Sequence, residues 1–272
     1  MHKFALVGVI TVLSMPGAAF AQGVDSLHAR TILLPGSLNV SIGTLAPGEP
    51  GNVVSSVTTE QGFTPFRKGP VFVVGFANVS VRHDTEGFPW NRTMPSTAGL
   101  KLVTATRAGI IQAVVGVNAH VRGDDVRVSK AAYATYWTGW RGDIISAQST
   151  VLPDALPGYA YASSGFVTAA EPDNWISSLS IQQGATVFRY SGIAVIPFVG
   201  ASASADSSGH NWNNRTRVDA GIKITREVLS GVVDIGIAQR HELDHLTRDS
   251  RVAPVVFVNF WLGWSPALAV TP

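Results

Sequence analysis

The chain carries one ordered string of residues twice, 122 positions apart, so any fold proposed for it must exist in two copies. Leu34-Pro35-Gly36 returns as Leu156-Pro157-Gly158, an offset of 156 − 34 = 122. The same offset carries Glu49-Pro50-Gly51-Asn52 onto Glu171-Pro172-Asp173-Asn174 and Gln61-Gly62 onto Gln183-Gly184. It also carries Phe66-Arg67 onto Phe188-Arg189 and Asp84-Thr85-Glu86-Gly87 onto Asp206-Ser207-Ser208-Gly209. Trp90-Asn91 falls on Trp212-Asn213, and one inserted Asn then lets Arg92-Thr93 meet Arg215-Thr216. Ala98-Gly99-Leu100-Lys101 meets Ala220-Gly221-Ile222-Lys223, and Tyr136-Trp137-Thr138-Gly139-Trp140 meets Phe260-Trp261-Leu262-Gly263-Trp264 at offset 124. The reading is a tandem duplication, with one copy at 31–141 and the other at 153–264. Two copies are too few for a solenoid, whose units stack in series. The remaining choice is one closed body or two similar domains.

Within each copy the apolar period is two. Ile111, Ala113, Val115, Val117, Ala119 and Val121 share a face opposite Gln112, Asn118 and His120. Trp175, Leu179, Ile181, Ala185 and Val187 share one opposite Ser178, Ser180, Gln182 and Thr186. Such alternation predicts strands, and no stretch keeps a 3.6-residue period. Six strands are expected per copy, near 37–44, 52–66, 70–82, 98–107, 110–121 and 128–140, then near 159–167, 174–189, 193–205, 218–228, 232–241 and 253–264. The links at Ala108-Gly109 and Ser230-Gly231 are tight hairpins. Those at 83–97, 206–217 and 242–252 are long and polar. If the first strand leaves the periplasm, all three long links fall outside, the habit of outer-membrane barrels. The inter-copy link 142–158 is long on the inner side.

Composition narrows the environment. Only 14% of residues are charged and the chain has no Cys, which excludes disulfide frameworks and thiolate metal sites. Twenty basic against 18 acidic residues leave no field for nucleic acid. Lys3, an apolar run over 4–15 and Ala19-Phe20-Ala21 fit a signal peptide cleaved near Ala21. The expected fold is all-β: an antiparallel transmembrane barrel of about 12 strands over 22–264, with a tail at 265–272, in the outer membrane. The alternative is a periplasmic or secreted pair of β-sandwiches that binds glycans through Trp, because a sandwich also buries one face of each strand.

In the barrel reading the polar face lines the lumen. Lys101, Arg107, Gln112, Lys223, Asp234 and Arg240 are expected there, since a Lys or Arg facing mid-bilayer lipid costs ~2–4 kcal/mol. Trp90, Asn91, Arg92, Trp212, Asn213 and Arg215 fall in the long outer links and form a candidate rim site. There Trp stacks on a sugar ring and Arg or Asn bonds its hydroxyls. His241-Glu242-Leu243-Asp244-His245 matches the zinc-peptidase pattern H-E-x-x-H, with His241 and His245 as metal candidates and Glu242 as base, which gives a zinc hydrolase as second alternative. That motif needs a helix, and it follows an alternating strand here, so a polar hairpin loop is the preferred reading. Ser207, Ser208, His210 and Asn213 lie close in sequence but lack a phospholipase pattern. Asn91-Arg92-Thr93 and Asn214-Arg215-Thr216 are sequons without meaning in an outer membrane. No cofactor and no catalytic residue is assigned. The expected partners are the lipid bilayer, a polysaccharide or small solute, and export-machinery proteins.

The Asn-Trp strand start, Gln-Gly, Asp-x-x-Gly-x-x-Trp-Asn-Asn, Ala-Gly-Ile-Lys and the final Phe-Trp-Leu-Gly-Trp together resemble the C-terminal barrel regions of bacterial outer-membrane proteins. The similarity is to those of exopolysaccharide export, such as the cellulose-synthase outer-membrane subunit, and of phage adsorption. It covers most of 153–264 and, through the repeat, 31–141. It implies a non-enzymatic pore or an export or assembly component linked to exopolysaccharide secretion. The helical tetratricopeptide repeats that precede such barrels are absent from this sequence.

Overall fold

The alternating stretches all become strands. The computed structural model describes residues 31–44, 51–88, 91–140, 155–171, 173–210, 213–229, 231–265 and 267–269. The expected leader at 1–21 and most of the inter-copy link lie outside these. The strands are β1 (Thr31–Leu33), β2 (Gly36–Gly43), β3 (Val54–Lys68), β4 (Val71–Asp84), β5 (Met94–Thr106), β6 (Gly109–Arg122), β7 (Asp125–Trp140), β8 (Gly158–Phe166), β9 (Ile176–Gly184), β10 (Phe188–Tyr190), β11 (Ile193–Asp206), β12 (Arg215–Val228), β13 (Gly231–Asp244), β14 (Ser250–Trp264) and β15 (Ala267–Ala269). Shifted by 122, the bounds of β4 and β6 coincide with those of β11 and β13.

Each strand from β2 to β9 pairs antiparallel with the next. So do β10 to β14, and β14 returns to β2 while β9 pairs with β11. β9 and β10 are one strand broken near Ala185, just as β3 slips register between Phe63 and Phe66. The result is a closed barrel of 12 antiparallel strands with no free edge, the only sheet that can leave its backbone satisfied in hydrocarbon. Neither copy closes on its own. β7 of the first pairs with β8 of the second, and β14 of the second with β2 of the first. This overturns the two-sandwich alternative.

Those two seams are built alike. Trp264 Nε1 donates to Gln61 Oε1 at 3.1 Å, and Trp140 Nε1 to Gln183 Oε1 at 2.9 Å. Each Gln donates onward to a proline carbonyl of the other strand, Pro35 or Pro157, at 3.2 Å. The indole rings lie flat over Gly36 and Gly158, where a Cβ would stand 2.3 and 2.5 Å from ring carbon. Outside the barrel, β1 pairs with β15, so both described ends of the chain meet on the side of the tight turns.

Burial is inverted relative to a water-soluble protein. Outward-facing Leu100, Leu102, Val115, Val117, Ile222, Ile224, Ile235 and Ile237 are exposed, whereas inward-facing Lys101 is 8% and Asn118 2% exposed. Apolar surface arranged as a belt around a polar interior is solvated by lipid chains, not by water.

The bore is graded along its axis. Toward the tight turns it is filled by Phe72, Val74, Phe76, Val103, Val114 and Tyr133 on one wall, and by Ile196, Phe198 and Trp261 on the other. Phe198 meets Phe257 edge-on, centroids 6.1 Å apart. Toward the loops the lining changes to Ser, Thr and Asn. Thr58 bonds Ser80 and Ser163 bonds Ser178 across neighbouring strands, at 2.8 and 2.7 Å.

Candidate functional site

The candidate site is the bore between the apolar constriction and the loop-side rim. Its first level holds two lysines. Lys101 on β5 is paired with Glu60 of β3 at 2.5 Å and lies 4.1 Å from the centre of the Phe76 ring. Lys223 on β12 occupies the equivalent position and is paired with Asp234 of β13 at 2.8 Å, with Gln182 of β9 at 3.2 Å. Thr225 also donates to Asp234, at 2.7 Å. The residue equivalent to Glu60 is Gln182, and that equivalent to Asp234 is Gln112, which also faces inward. Lys101 thus takes its acid from β3 and Lys223 takes its acid from β13. The sequence offset held this signal, although reading the lumen residue by residue missed it. Arg107, expected on the lumen wall, stands exposed in the tight turn between β5 and β6, where Thr106 accepts from the Ala108 N–H at 3.2 Å.

The next level is a lattice of charge on the second copy's wall. Arg240 holds Asp219 with two parallel bonds of 2.7 Å, a bidentate pair that fixes both side chains. Glu242 accepts from Arg217 at 2.5 Å and lies 3.5 Å from Arg215. Arg215, read as a rim residue, is instead buried on this inner wall. The inserted Asn214 moves it one position along from Arg92, which stays exposed in its loop. In the first copy the place of the Arg240–Asp219 pair is taken by Asn118 and Thr97, joined by a 2.7 Å bond.

The rim is organised by two carboxylates, one at the loop end of β4 and one at that of β11. Asp84 accepts from the side-chain amides of Asn91 at 2.8 Å and Asn52 at 3.1 Å, and from the backbone N–H groups of Gly87 at 2.8 Å and Phe88 at 3.2 Å. Asp206 accepts from Asn174 at 2.9 Å and from Asn213 and Asn214 at 2.8 Å. The backbone N–H groups of Gly209 and His210 add bonds of 2.7 and 3.1 Å. Gly87 and Gly209 both adopt positive φ, 75° and 70°, which lets the loop fold back over its carboxylate. Both carboxylates lie past the apolar belt. Burial alone raises a carboxyl pKa, but the converging amide donors outweigh it and hold both below the ordinary value, Asp206 further than Asp84. Of the rim residues expected from sequence, Asn91 and Asn213 are therefore loop anchors in the structure. Trp90 and Trp212 lie outside the described residues.

Glu171, Asp206 and His210 bring three ligand-type atoms within 4.8 Å of one another. Asn213 Nδ2 is 2.8 Å from both carboxylates. Asn174 Nδ2 lies 2.5 Å from Glu171 and 2.9 Å from Asp206. The Asn174 amide is fixed in this sense, because its Oδ1 accepts from Ser207 Oγ and the Ser208 N–H. Donors rather than acceptors face the carboxylates.

The H-E-x-x-H segment is not a hairpin loop as expected, nor a helix. β13 runs through Asp244, so His241 points out and Glu242 in, and His245 follows in the turn. His241 Nε2 lies 2.5 Å from Ser250 Oγ and His245 Nε2 2.8 Å from Thr216 Oγ1. Alternation on a strand sends the ligand and the base of a zinc peptidase to opposite faces, and the zinc-hydrolase alternative falls with it.

No family model matches the chain, and no curated protein matches it. Among solved structures it is similar to an outer membrane channel from Pseudomonas putida F1, at 8% identity over 88% of this chain and 97% of that one, with a TM-score of 0.39. It is similar to the transport unit of the autotransporter AIDA-I from Escherichia coli at 10% identity over 91% and 95%, with a TM-score of 0.37. It is also similar to the translocator domain of the autotransporter NalP from Neisseria meningitidis at 11% identity over 91% and 92%, with a TM-score of 0.34. At these identities and scores no activity passes from those proteins to this one.

Proposed function

We propose that this chain is a non-enzymatic outer-membrane pore of narrow bore, built by duplication of a six-strand unit, that admits small polar solutes from the loop side. The observation that carries the reading is the inverted burial. An apolar belt surrounds a bore whose loop-side half is lined by hydroxyl, amide and paired charged groups, which replace a solute's hydration. The finer role, a component of polysaccharide export working with export-machinery proteins, is supported by that same lining, since Ser, Thr and Asn offer alternating donors and acceptors to sugar hydroxyls.

The constriction makes the test specific. The protein is recovered in the outer-membrane fraction, and in planar bilayers it gives a small unitary conductance. Phe76→Ala combined with Phe198→Ala removes a ring from each wall and raises that conductance several-fold. Neutral oligosaccharide on the loop side reduces the current if sugars are the solute. Recovery without detergent in the soluble periplasm, or silence of both wild type and double variant, would sink the pore.

A further inference from the structure

Toward the tight turns the apolar filling of the bore leaves buried polar atoms without a partner among the described residues, and two of them belong to directly paired residues. Trp261 on β14 is opposite Asn39 on β2, so both side chains stand on the inner face of the wall. They are 5% and 4% exposed. Nε1 of Trp261 finds no acceptor and Oδ1 of Asn39 finds no donor, and neither reaches the other. Trp137, the first copy's equivalent of Trp261 by the offset 261 − 137 = 124, repeats half of this arrangement. Its Nε1 is buried without an acceptor as well.

The neighbours set the chemistry. Across the ladder Asn39 has Thr58 of β3 and Trp261 has Val232 of β13. Thr58 already donates its hydroxyl proton to Ser80 at 2.8 Å. Two residues further along those strands, Glu60 and Asp234 are each held by a lysine, so neither carboxylate calls for a counter-ion. An indole N–H can only donate, and burying it without an acceptor costs free energy. An anion would answer Trp261 but set negative charge against Asn39 Oδ1, and a cation would do the reverse. A hydroxyl group accepts from one and donates to the other. In the first copy the place of Asn39 is taken by Tyr161, by the offset 161 − 39 = 122. Tyr161 is opposite Trp137, and its hydroxyl is bonded to Ser163. The complete donor–acceptor pair is thus formed at the seam of β14 and β2.

We propose that Asn39 and Trp261 form a binding site for one hydroxyl of a small neutral polyhydroxyl solute, a polyol or a monosaccharide. The solute hydroxyl accepts from Trp261 Nε1 and donates to Asn39 Oδ1, and these two bonds replace the water it sheds on entering the apolar part of the bore. The inference gives the proposed pore a solute class and a place where that solute pauses, and it rests on the pore reading. Binding is measured apart from conduction. A bound sugar in a silent barrel sinks the pore and keeps the site, and a conducting barrel that binds no sugar does the opposite.

The experiment uses the full chain, its seven tryptophans labelled with nitrogen-15 at the indole, refolded in a detergent without a sugar headgroup. The indole N–H resonances are followed by NMR while glucose is titrated through the millimolar range. Trp261→Phe identifies the Trp261 resonance by its loss. That resonance should move downfield and saturate, because its proton gains an acceptor. Trp175, which faces outward and already donates to Ser164 at 2.9 Å, should not move. Asn39→Ala keeps the Trp261 indole and should raise the half-saturating glucose concentration about fivefold. Both variants should keep the heat-modifiable mobility of a folded barrel on a cold gel. A Trp261 resonance that glucose leaves in place, a midpoint unchanged in folded Asn39→Ala, or the same saturable shift from inorganic phosphate would overturn the site.

Discussion

Glu60 and Gln112 are the residues on which the two copies differ most informatively. Lys101 is buried enough to need a counter-charge, and Glu60 supplies it across two strands. In the second copy the acid has moved to Asp234. Glu60→Gln should therefore destabilise the barrel by about 1–3 kcal/mol, below the usual cost of breaking a buried pair because the Glu60 side chain is 28% exposed. Adding Gln112→Asp to that variant rebuilds the second copy's arrangement and should recover most of the loss. Urea unfolding in detergent, followed by tryptophan fluorescence, reads both steps. A double variant no more stable than Glu60→Gln would refute the exchange.

At the scale of strands and loops, β4 to β7 and β11 to β14 run further toward the loops than alternation suggested, whereas β2, β3, β8 and β9 stop one or two residues short. β13 reaches Asp244 and β5 starts at Met94. The physical reason is that beyond the lipid both faces of a strand are polar, so the period-two signal fades while backbone pairing continues. His241-Glu242-Leu243-Asp244 is such a stretch, and it read as a loop. What anchors the loops was legible as the repeated Asp-x-x-Gly, but Asn52 and Asn174 lie 32 residues upstream of the carboxylates they bind, and no local pattern announces that distance. Because Asp84 and Asp206 titrate below their ordinary value of 3.8 in the folded barrel, their contribution is complete above that pH. It falls away as acid takes the solution below 3.8 toward their folded values. Limited digestion with an acid-active protease should cut 85–93 and 207–214 at pH 2.5 and spare them at pH 5. Asp206→Asn should expose 207–214 at both. Cleavage of wild type at equal rates at the two pH values would contradict the anchoring.

For the whole molecule, alternation and the doubled string made strand number and the shared sheet legible, since Leu100, Lys101 and Leu102 can satisfy lipid and lumen at once only in a barrel. The filling of the bore was not legible. Phe72, Phe76, Phe198 and Trp261 have the same chemistry as lipid-facing residues, and only the register shows them turned inward. The seams carry a consequence of their own. Trp140 and the Pro35–Gly36–Gln61 surface that would receive it belong to one half, just as Trp264 belongs with Pro157, Gly158 and Gln183. A chain of half the length therefore holds both sides of the join and lacks only a second copy of itself. The segment 31–140, refolded in detergent, should assemble as a two-fold dimer that shifts mobility on heating, and Trp140→Ala should leave it monomeric. A folded, soluble monomer from that segment would break the prediction. If the dimer forms, the linker between the halves sets stoichiometry rather than shape, and two different halves can be mixed to give bores that neither gene product alone provides.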